Sequence, residues 1–419
     1  MFDIDKWQEI FSALGSNLFR TFMTAFGVSW GIFMLVVMMG AGNGLQNGVM
    51  AGFARFATNS AFFWSRSTSM PYKGFDEGRP ITLKNGDMEA IRGVEGVELL
   101  APRVNGPWGT EGLNTSRGLK SANFNITGDY PDYFEIDPID LLEGRVINDI
   151  DIRDKRKVCM IGTRVRELLF EPTEEALGQY VRVHGVYFQV IGVFKAATEV
   201  NFGSNKEETI FLPFTSLQKA FNYGDQVHYF SFTAGADASI SDLEVQIKDL
   251  LKQRHGVHPD DERAFGSFNL QERFEQMQGL FLGISLLVWF VGSGTLLAGV
   301  IGVSNIMLII IKERTKEIGI KRALGGTPAD VIKQIVTESV FLTTVAGLLG
   351  LSFGVALLHA IDVFVLGASG GTQMFRDPSI RLKVALQALA ILVGSGALAG
   401  LIPARRAVSI KPIDALRDE

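Results

Sequence analysis

Few side chains in this sequence stand at spacings that could do chemistry. His255 and His258 are three apart, but Gly256 and Pro259 break the helix that would align them as metal ligands, so a solvated turn fits them better. Gly367-Ala-Ser369-Gly-Gly371 matches GxSxG. A nucleophile elbow of that pattern needs a strand before it and a helix after it. Here the preceding residues read as the outer end of a membrane span, and Pro378 follows closely, so a flexible loop explains the match. Cys159 sits among apolar neighbours in KVCMIG and reads as a small buried hydrophobe in a strand, not as a reactive thiol. As the lone cysteine it also excludes an intrachain disulfide, a CxxC redox site and a zinc ribbon. Neither GxxxxGK[ST] nor HExxH occurs, so the chain cannot bind ATP through a phosphate loop and carries no zincin motif.

With little chemistry to position, the elements themselves matter most. The chain has 419 residues, which predicts two or three folding units. Its 40 Lys+Arg against 45 Asp+Glu give a net charge of −5, which argues against a nucleic-acid partner. Apolar residues make up 47% and charged residues only 20%, below the roughly 25% of ordinary soluble domains.

Charge-free stretches account for the missing polarity. They run between Arg20 and Arg55, between Glu275 and Lys312, from Ser339 to about Leu358, and from Val384 to Pro403. Each supplies the roughly 20 apolar residues of a membrane helix, so four spans are predicted. The second, residues 276–311, would reach about 54 Å as a helix against a hydrocarbon core of about 30 Å. It is therefore expected to continue beyond the membrane as a stalk. Trp7, Ile10, Phe11, Leu14 and Leu18 form one helical stripe before the first span, consistent with an interfacial helix or an ordinary packed one. The late start and the length of the first apolar run argue against a cleaved signal peptide.

Basic residues set the orientation. Lys312, Arg314, Lys316, Lys321, Arg322 and Lys333 crowd the loop after the second span, and Arg405, Arg406, Lys411 and Arg417 the tail. Only Arg376, Arg381 and Lys383 lie between the last two spans. The positive-inside rule then predicts cytoplasmic termini and an external segment of about 220 residues. The expected layout is an interfacial helix (1–20), spans at 21–45, 276–311 (with the stalk), 339–360 and 384–404, an external domain at 46–275, a cytoplasmic loop at 312–338, an external loop at 361–383 and a tail at 405–419.

The external segment mixes patterns. Lys157–Ile161, Tyr180–Val183, Tyr187–Phe194 and Thr209–Leu212 read as strands, whereas Leu83–Ile91, Arg164–Phe170, Thr215–Asn222 and Ser241–Arg254 read as helices. In the last, Leu243, Ile247, Leu250 and Leu251 make an apolar stripe. This predicts an α+β domain in two lobes. The expected fold class is a membrane protein of four transmembrane α-helices, with a large α+β extracytoplasmic domain inserted between the first and the second. Within the spans, Gly279/Gly283, Gly350/Gly354 and Gly396/Gly400 are pairs four apart, a spacing that lets helices approach closely, within one chain or between two. No charged residue lies in the middle of a span, and His359 and Asp362 sit at an outer end, which argues against an ion-coupled carrier.

The loop KERTKEIGIKRALGGTPADVIKQIVTES reads as a charged helix stopped by Gly325-Gly326, with Thr327-Pro328 starting another. Such a helix suits docking of a cytoplasmic partner or serves as a solvated connector. Here ERTKEIGIKRALGG resembles the cytoplasmic segment of the FtsX/MacB-type ABC transporter permeases. WQEIFSALGSNLFRTFMTAFGVSWGI resembles their first span and its preceding helix, and GLIPARRAVSIKPIDALRDE their closing signature. ITGDYPDYFEI, LLEGRVINDID, KVCMIGTRVRELLF, LGQYVRVHGVYFQVIGVF and IFLPFTSLQ are similar to the MacB-like periplasmic core.

The resemblance implies a multi-pass permease of the bacterial inner membrane, surrounded by membrane lipid, working as a homodimer or a heterodimer. It implies an ABC ATPase subunit that holds ATP and Mg, with no cofactor on this chain and no enzymatic activity of its own. Because residue 7 already lies in the pre-span helix, that ATPase is expected on another polypeptide. The family's ATPase-docking role carries over to Glu313, Arg314, Glu317, Ile318, Gly319, Lys321, Ala323, Leu324 and Gly325. Function is then expected by mechanotransmission, with export of a peptide, drug or lipid-linked substrate, and with a periplasmic adaptor and an outer-membrane channel as further partners. Regulation of a cell-wall hydrolase, as in FtsX-type relatives, and lipoprotein release are the alternatives.

Overall fold

The computed structural model describes residues 18–53, 55–106, 114–197, 205–366, 375–379 and 382–409. The interfacial-helix stripe before Leu18, the GxSxG match and the tail beyond Ser409 lie outside them. The chain divides into two compact units, Met50–Gln278 and the combination of Met1–Val49 with Gly279–Glu419.

The first unit is built on one large mixed sheet. Its strands are β1 (Ser60–Ser65), β3 (Val97–Asn105), β4 (Thr115–Arg117), β5 (Lys120–Ala122), β6 (Asn125–Asp129), β7 (Ile139–Gly144), β8 (Val158–Gly162), β9 (Tyr180–Val183), β10 (Val186–Ala196), β11 (Thr209–Pro213), β13 (Tyr229–Ala234) and β14 (Phe265–Asn269). The order is β14-β1-β13-β3-β6-β11-β8-β10-β9-β4-β5, and β7 also pairs with β10. A separate ribbon joins β2 (Leu83–Lys84) to β12 (Gln226–Val227). One continuous sheet runs through the domain. Its largest apolar cluster extends from Phe63 on β1 to Val181 on β9.

Strand patterning explains the sheet. Successive side chains on a strand point to opposite faces. Phe62 therefore joins Ala101, Tyr133 and Ile136 in a small core on one face, while Phe63 enters the main core on the other. The apolar runs VCMIG and TIFLP are buried at every position. They form parallel pairs, β8 with β10 and β11 with β6, as strands covered on both faces do.

Among the described residues, six α-helices accompany these strands: α2 (Asn85–Arg92), α3 (Tyr133–Ile136), α4 (Asp149–Arg153), α5 (Thr163–Leu169), α6 (Phe214–Ala220) and α7 (Ile240–His255). Leu243, Ile247 and Leu251 bury the predicted stripe of α7, and Gly256 ends that helix in the left-handed region at φ 59°. α2 begins two residues later than its pattern suggests. Leu83 and Lys84 pair with β12, and the Lys84 N–H donates to Asp87 Oδ2 at 2.9 Å, fixing the helix start.

The second unit holds α1 (Leu18–Phe53), α8 (Leu270–Glu313), α9 (Thr315–Ala323), α10 (Pro328–Ala360, continued by a wider turn Ile361–Leu366) and α11 (Leu382–Ser409), with α1 and α8 each running across the boundary between units. Among the described residues, four helices are long and apolar enough to cross a membrane: Thr21–Phe53, Leu270–Glu313, Pro328–Phe364 and Ala385–Ser409. All extend beyond the expected spans. α8, at 44 residues, is about 66 Å long. α10 starts at Pro328, so the latter part of the expected cytoplasmic loop is helix continuous with the third span.

These helices pack through small residues. A Cβ on Gly350 would overlap the Ser29 carbonyl, and one on Gly354 would overlap Val36, so α10 lies close against α1. Gly396 and Gly400 admit Thr343 and Ser339 in the same way, joining α11 to α10. At Gly279 and Gly283 a Cβ would meet nothing within 4 Å, so that pair makes no close approach among the described residues.

Candidate functional site

The connection from α8 to α10 is the segment where the predicted docking residues come together. Arg314 is the single residue between α8 and α9 and leaves helical geometry, at φ −97° and ψ 12°. Gly325 then takes φ 101°, a conformation that suits glycine and turns the chain after α9. Thr327 restarts it: its Oγ1 accepts from the Asp330 N–H at 3.3 Å, and Asp330 Oδ2 accepts from the Thr327 N–H at 3.1 Å. This capping box, with Pro328 in the first turn, pre-organises the start of α10.

Polar contacts fix α9 against its neighbours. Arg314 Nε donates to Glu317 at 3.1 Å and its Nη1 to the buried Glu338 at 3.3 Å. Gln334 Nε2 also donates to Glu338, at 3.3 Å, and Gln334 Oε1 accepts from Lys321 Nζ at 3.0 Å. Arg322 Nη1 donates to the Val408 carbonyl on α11 at 2.8 Å. Ile310, Ile318, Val331 and Ile335 line a crevice of about 50 Å³ beneath this network.

The nine predicted docking residues thereby divide into two groups. Arg314 and Ile318 are half-buried and Gly319 is buried, so they hold α9 in place. Glu313, Glu317, Lys321, Ala323, Leu324 and Gly325 are exposed. Leu324 is 84% exposed, and Ile320, one turn earlier, is 43% exposed. Ile320 is not among the residues the sequence points to, nor are Glu338, Gln334 and Arg322 as supports. The spacing of Ile320 and Leu324, four apart, is the available signal for the first; the burial of Glu338 has no sequence signature. The arrangement presents a small apolar spot among charges of both signs, which suits a protein partner rather than a chemical step.

The other candidates are accounted for structurally. Cys159 is fully buried, and burial pushes its thiol well above the usual range. His255 Nε2 lies 2.8 Å from Asp87 Oδ2, and the His258 ring is held edge-on to Tyr72, so the two imidazoles serve different contacts. Burial raises the Asp87 carboxyl, but hydrogen bonds from His255, Arg254 and the Lys84 N–H outweigh it and hold the group below the ordinary carboxylate range.

Comparison with known proteins agrees with this layout. Residues 21–250 match the MacB-like periplasmic core domain, and residues 289–412 match the FtsX-like permease C-terminal domain. The pyoverdine export ATP-binding/permease protein PvdT of Pseudomonas putida is 29% identical over 99% of this chain and 60% of its own length. The macrolide export ATP-binding/permease protein MacB of Rhodospirillum rubrum is 28% identical over 97% of this chain and 59% of its own. The chain thus spans about 60% of the length of these relatives. The periplasmic region of MacB from Actinobacillus actinomycetemcomitans superposes with a TM-score of 0.43 at 18% identity, covering 55% of this chain and 97% of that one. With one family domain matched across more than half of the chain and the second following it in order, the chain belongs to the FtsX/MacB-type ABC transporter permeases.

Proposed function

We propose that this chain is the permease subunit of a MacB-like exporter and that an ABC ATPase docks on α9. The observation that carries the docking assignment is the exposed Ile320–Leu324 pair on a short helix braced by Arg314 and Glu338. ATP and Mg are held by the ATPase, whose closure moves α8 and α10 through this contact. The external domain converts that movement into export of a peptide, drug or lipid-linked substrate, with an adaptor and an outer-membrane channel as further partners. The names of PvdT and MacB, both export proteins that combine ATP-binding and permease parts, support export over wall-hydrolase regulation. The excess of Lys and Arg around α9 supports a cytoplasmic position for it and for both termini.

Affinity purification of the full chain from its native membrane in mild detergent, with mass spectrometry, tests the reading. A P-loop ATPase is expected at about one per permease, the ratio of a two-plus-two assembly. Reproducible recovery of the intact chain without any ATPase contradicts it.

A further inference from the structure

The β5 end of the large sheet carries an aromatic and basic depression. β9 and β10 form a hairpin closed by His184-Gly185, whose positive φ values of 41° and 87° suit a two-residue turn. Its inward positions, Val181, Val183, Phe188 and Val190, lie in the main core. The alternate positions face outward, and there Tyr187 stands opposite Arg182 and Gln189 opposite Tyr180. Tyr180 and Tyr187 are 55% and 59% exposed. With Gln189, Arg156 and Lys157 they line an open depression of about 660 Å³.

Among the described residues no acidic side chain lines that depression, although the chain as a whole carries a net charge of −5. Arg156 is shared with Asp154 at 3.3 Å and with the buried Asp151 at 3.7 Å, whereas Lys157 and Arg182 are exposed and make no ion pair among the described residues. The depression therefore favours an anion. β10 lies between β9 and β8, and β9 between β10 and β4, so the tyrosines stand on a sheet face and not along an edge open to strand addition. They offer two flat rings with hydroxyls. Beside them the Gln189 carboxamide donates from Nε2 to the Gly178 carbonyl at 3.1 Å, which leaves its oxygen as an acceptor. Sugar rings meet such a floor with their C–H faces and their hydroxyls, and a carboxylate on the ring meets Lys157 or Arg182. Small-molecule sites enclose most of their ligand. This one is open, which suits a stretch of a longer chain whose remainder stays in solvent.

We propose that this depression binds a carboxylate-bearing polysaccharide, with sugar rings stacked on Tyr180 and Tyr187 and carboxylates held by Lys157 and Arg182. The proposal goes beyond the export reading and draws on it only in placing this domain outside the membrane; it is independent of the ATPase.

Fluorescence anisotropy on the purified full chain in detergent tests it. The probes are end-labelled oligomers of polygalacturonate, alginate and hyaluronate, compared with neutral dextran and with poly-glutamate of matched length. At least one acidic oligosaccharide is expected to bind about tenfold or more tighter than dextran, and severalfold tighter than poly-glutamate. The double variant Tyr180→Ala/Tyr187→Ala should weaken that binding by about five- to twentyfold, whereas Tyr180→Phe/Tyr187→Phe, which keeps both rings, should largely retain it. Lys157→Glu and Arg182→Glu should each weaken it by about threefold or more and reduce its salt dependence. All these positions are exposed, so thermal unfolding of the variants should match that of the parent chain. Failure of every acidic oligosaccharide to bind above dextran overturns the proposal. Binding no tighter than that of poly-glutamate, or indifferent to loss of both rings, also overturns it. Loss of ATPase co-purification with glycan binding intact would instead remove the functional reading and leave this site standing.

Discussion

Arg314, the lone residue between α8 and α9, reaches the buried carboxylate of Glu338 on α10, with its Nη1 3.3 Å from Glu338 Oε1. One ion pair thus ties the end of α8 to α10 beside the start of α9. Glu338→Ala removes the acceptor and should loosen α9 by about 1–3 kcal/mol, because a charged hydrogen bond is lost beside a partly buried guanidinium. Faster amide hydrogen exchange over residues 315–323 in the purified chain, with the four spans still protected, is the expected result. Unchanged exchange would remove the pair from the support of α9.

The exposed and buried residues of the proposed docking set should fail differently. Leu324→Glu and Ile320→Glu change solvent-facing positions, so stability should stay within about 0.5 kcal/mol while ATPase association weakens by about 2 kcal/mol or more. Gly319 is buried, so a bulky replacement there is expected to act through packing and lower stability as well. Quantitative pull-down alongside thermal unfolding separates the two. Full ATPase association by Leu324→Glu would take that residue out of the interface.

Span glycines should sort by what a side chain would meet. Gly350→Leu and Gly396→Leu force α10 away from α1 and α11, at a cost of about 1–3 kcal/mol each. Gly279→Ala meets open space and should cost less than about 0.5 kcal/mol. Thermal aggregation midpoints in detergent report the difference, and equal effects at Gly279 and Gly350 would contradict the packing described.

Acid should weaken the external domain. Asp261 accepts from the Ser69 N–H and hydroxyl, both at 2.7 Å, and from the Met70 and Arg263 N–H groups. Burial raises its carboxyl, but these donors prevail and hold it below the ordinary range, as happens at Asp87. A depressed folded value means that the folded state binds fewer protons than the unfolded chain. The stabilisation is therefore present above the unfolded value of about 3.9 and is lost as pH falls through the folded one. Asp261→Asn should cost about 1–3 kcal/mol at neutral pH and flatten the decline below about pH 5. An identical pH slope in the variant would exclude Asp261 as a contributor.

Much of this architecture is legible in the sequence because strong periodicities carry it. Four charge-free runs become the four long helices, and Tyr180–Val183 and Thr209–Leu212 match β9 and β11 to within a residue. What stays hidden is non-local. The joining of the strands into one sheet depends on pairings such as Ala61 with Asn269, distant in sequence, which no window pattern encodes. At the docking segment, the charged helix and its glycine stop are readable, whereas the partition into supporting and exposed residues requires the position of Glu338. The start of α10 is legible too, since Thr327-Pro328 reads as a cap and first turn and the helix begins at Pro328.

Contact between α9 and an ATPase underlies the function proposed for this chain. A photo-activatable side chain placed at Leu324 in the full chain, illuminated in native membranes, interrogates that contact without disrupting the helix. A cross-link to a P-loop ATPase is expected, lost in the Ile320→Glu background and absent when the probe replaces the buried Val331. Cross-linking from Leu324 to lipid alone, with the ATPase present in the same membranes, would contradict docking on α9.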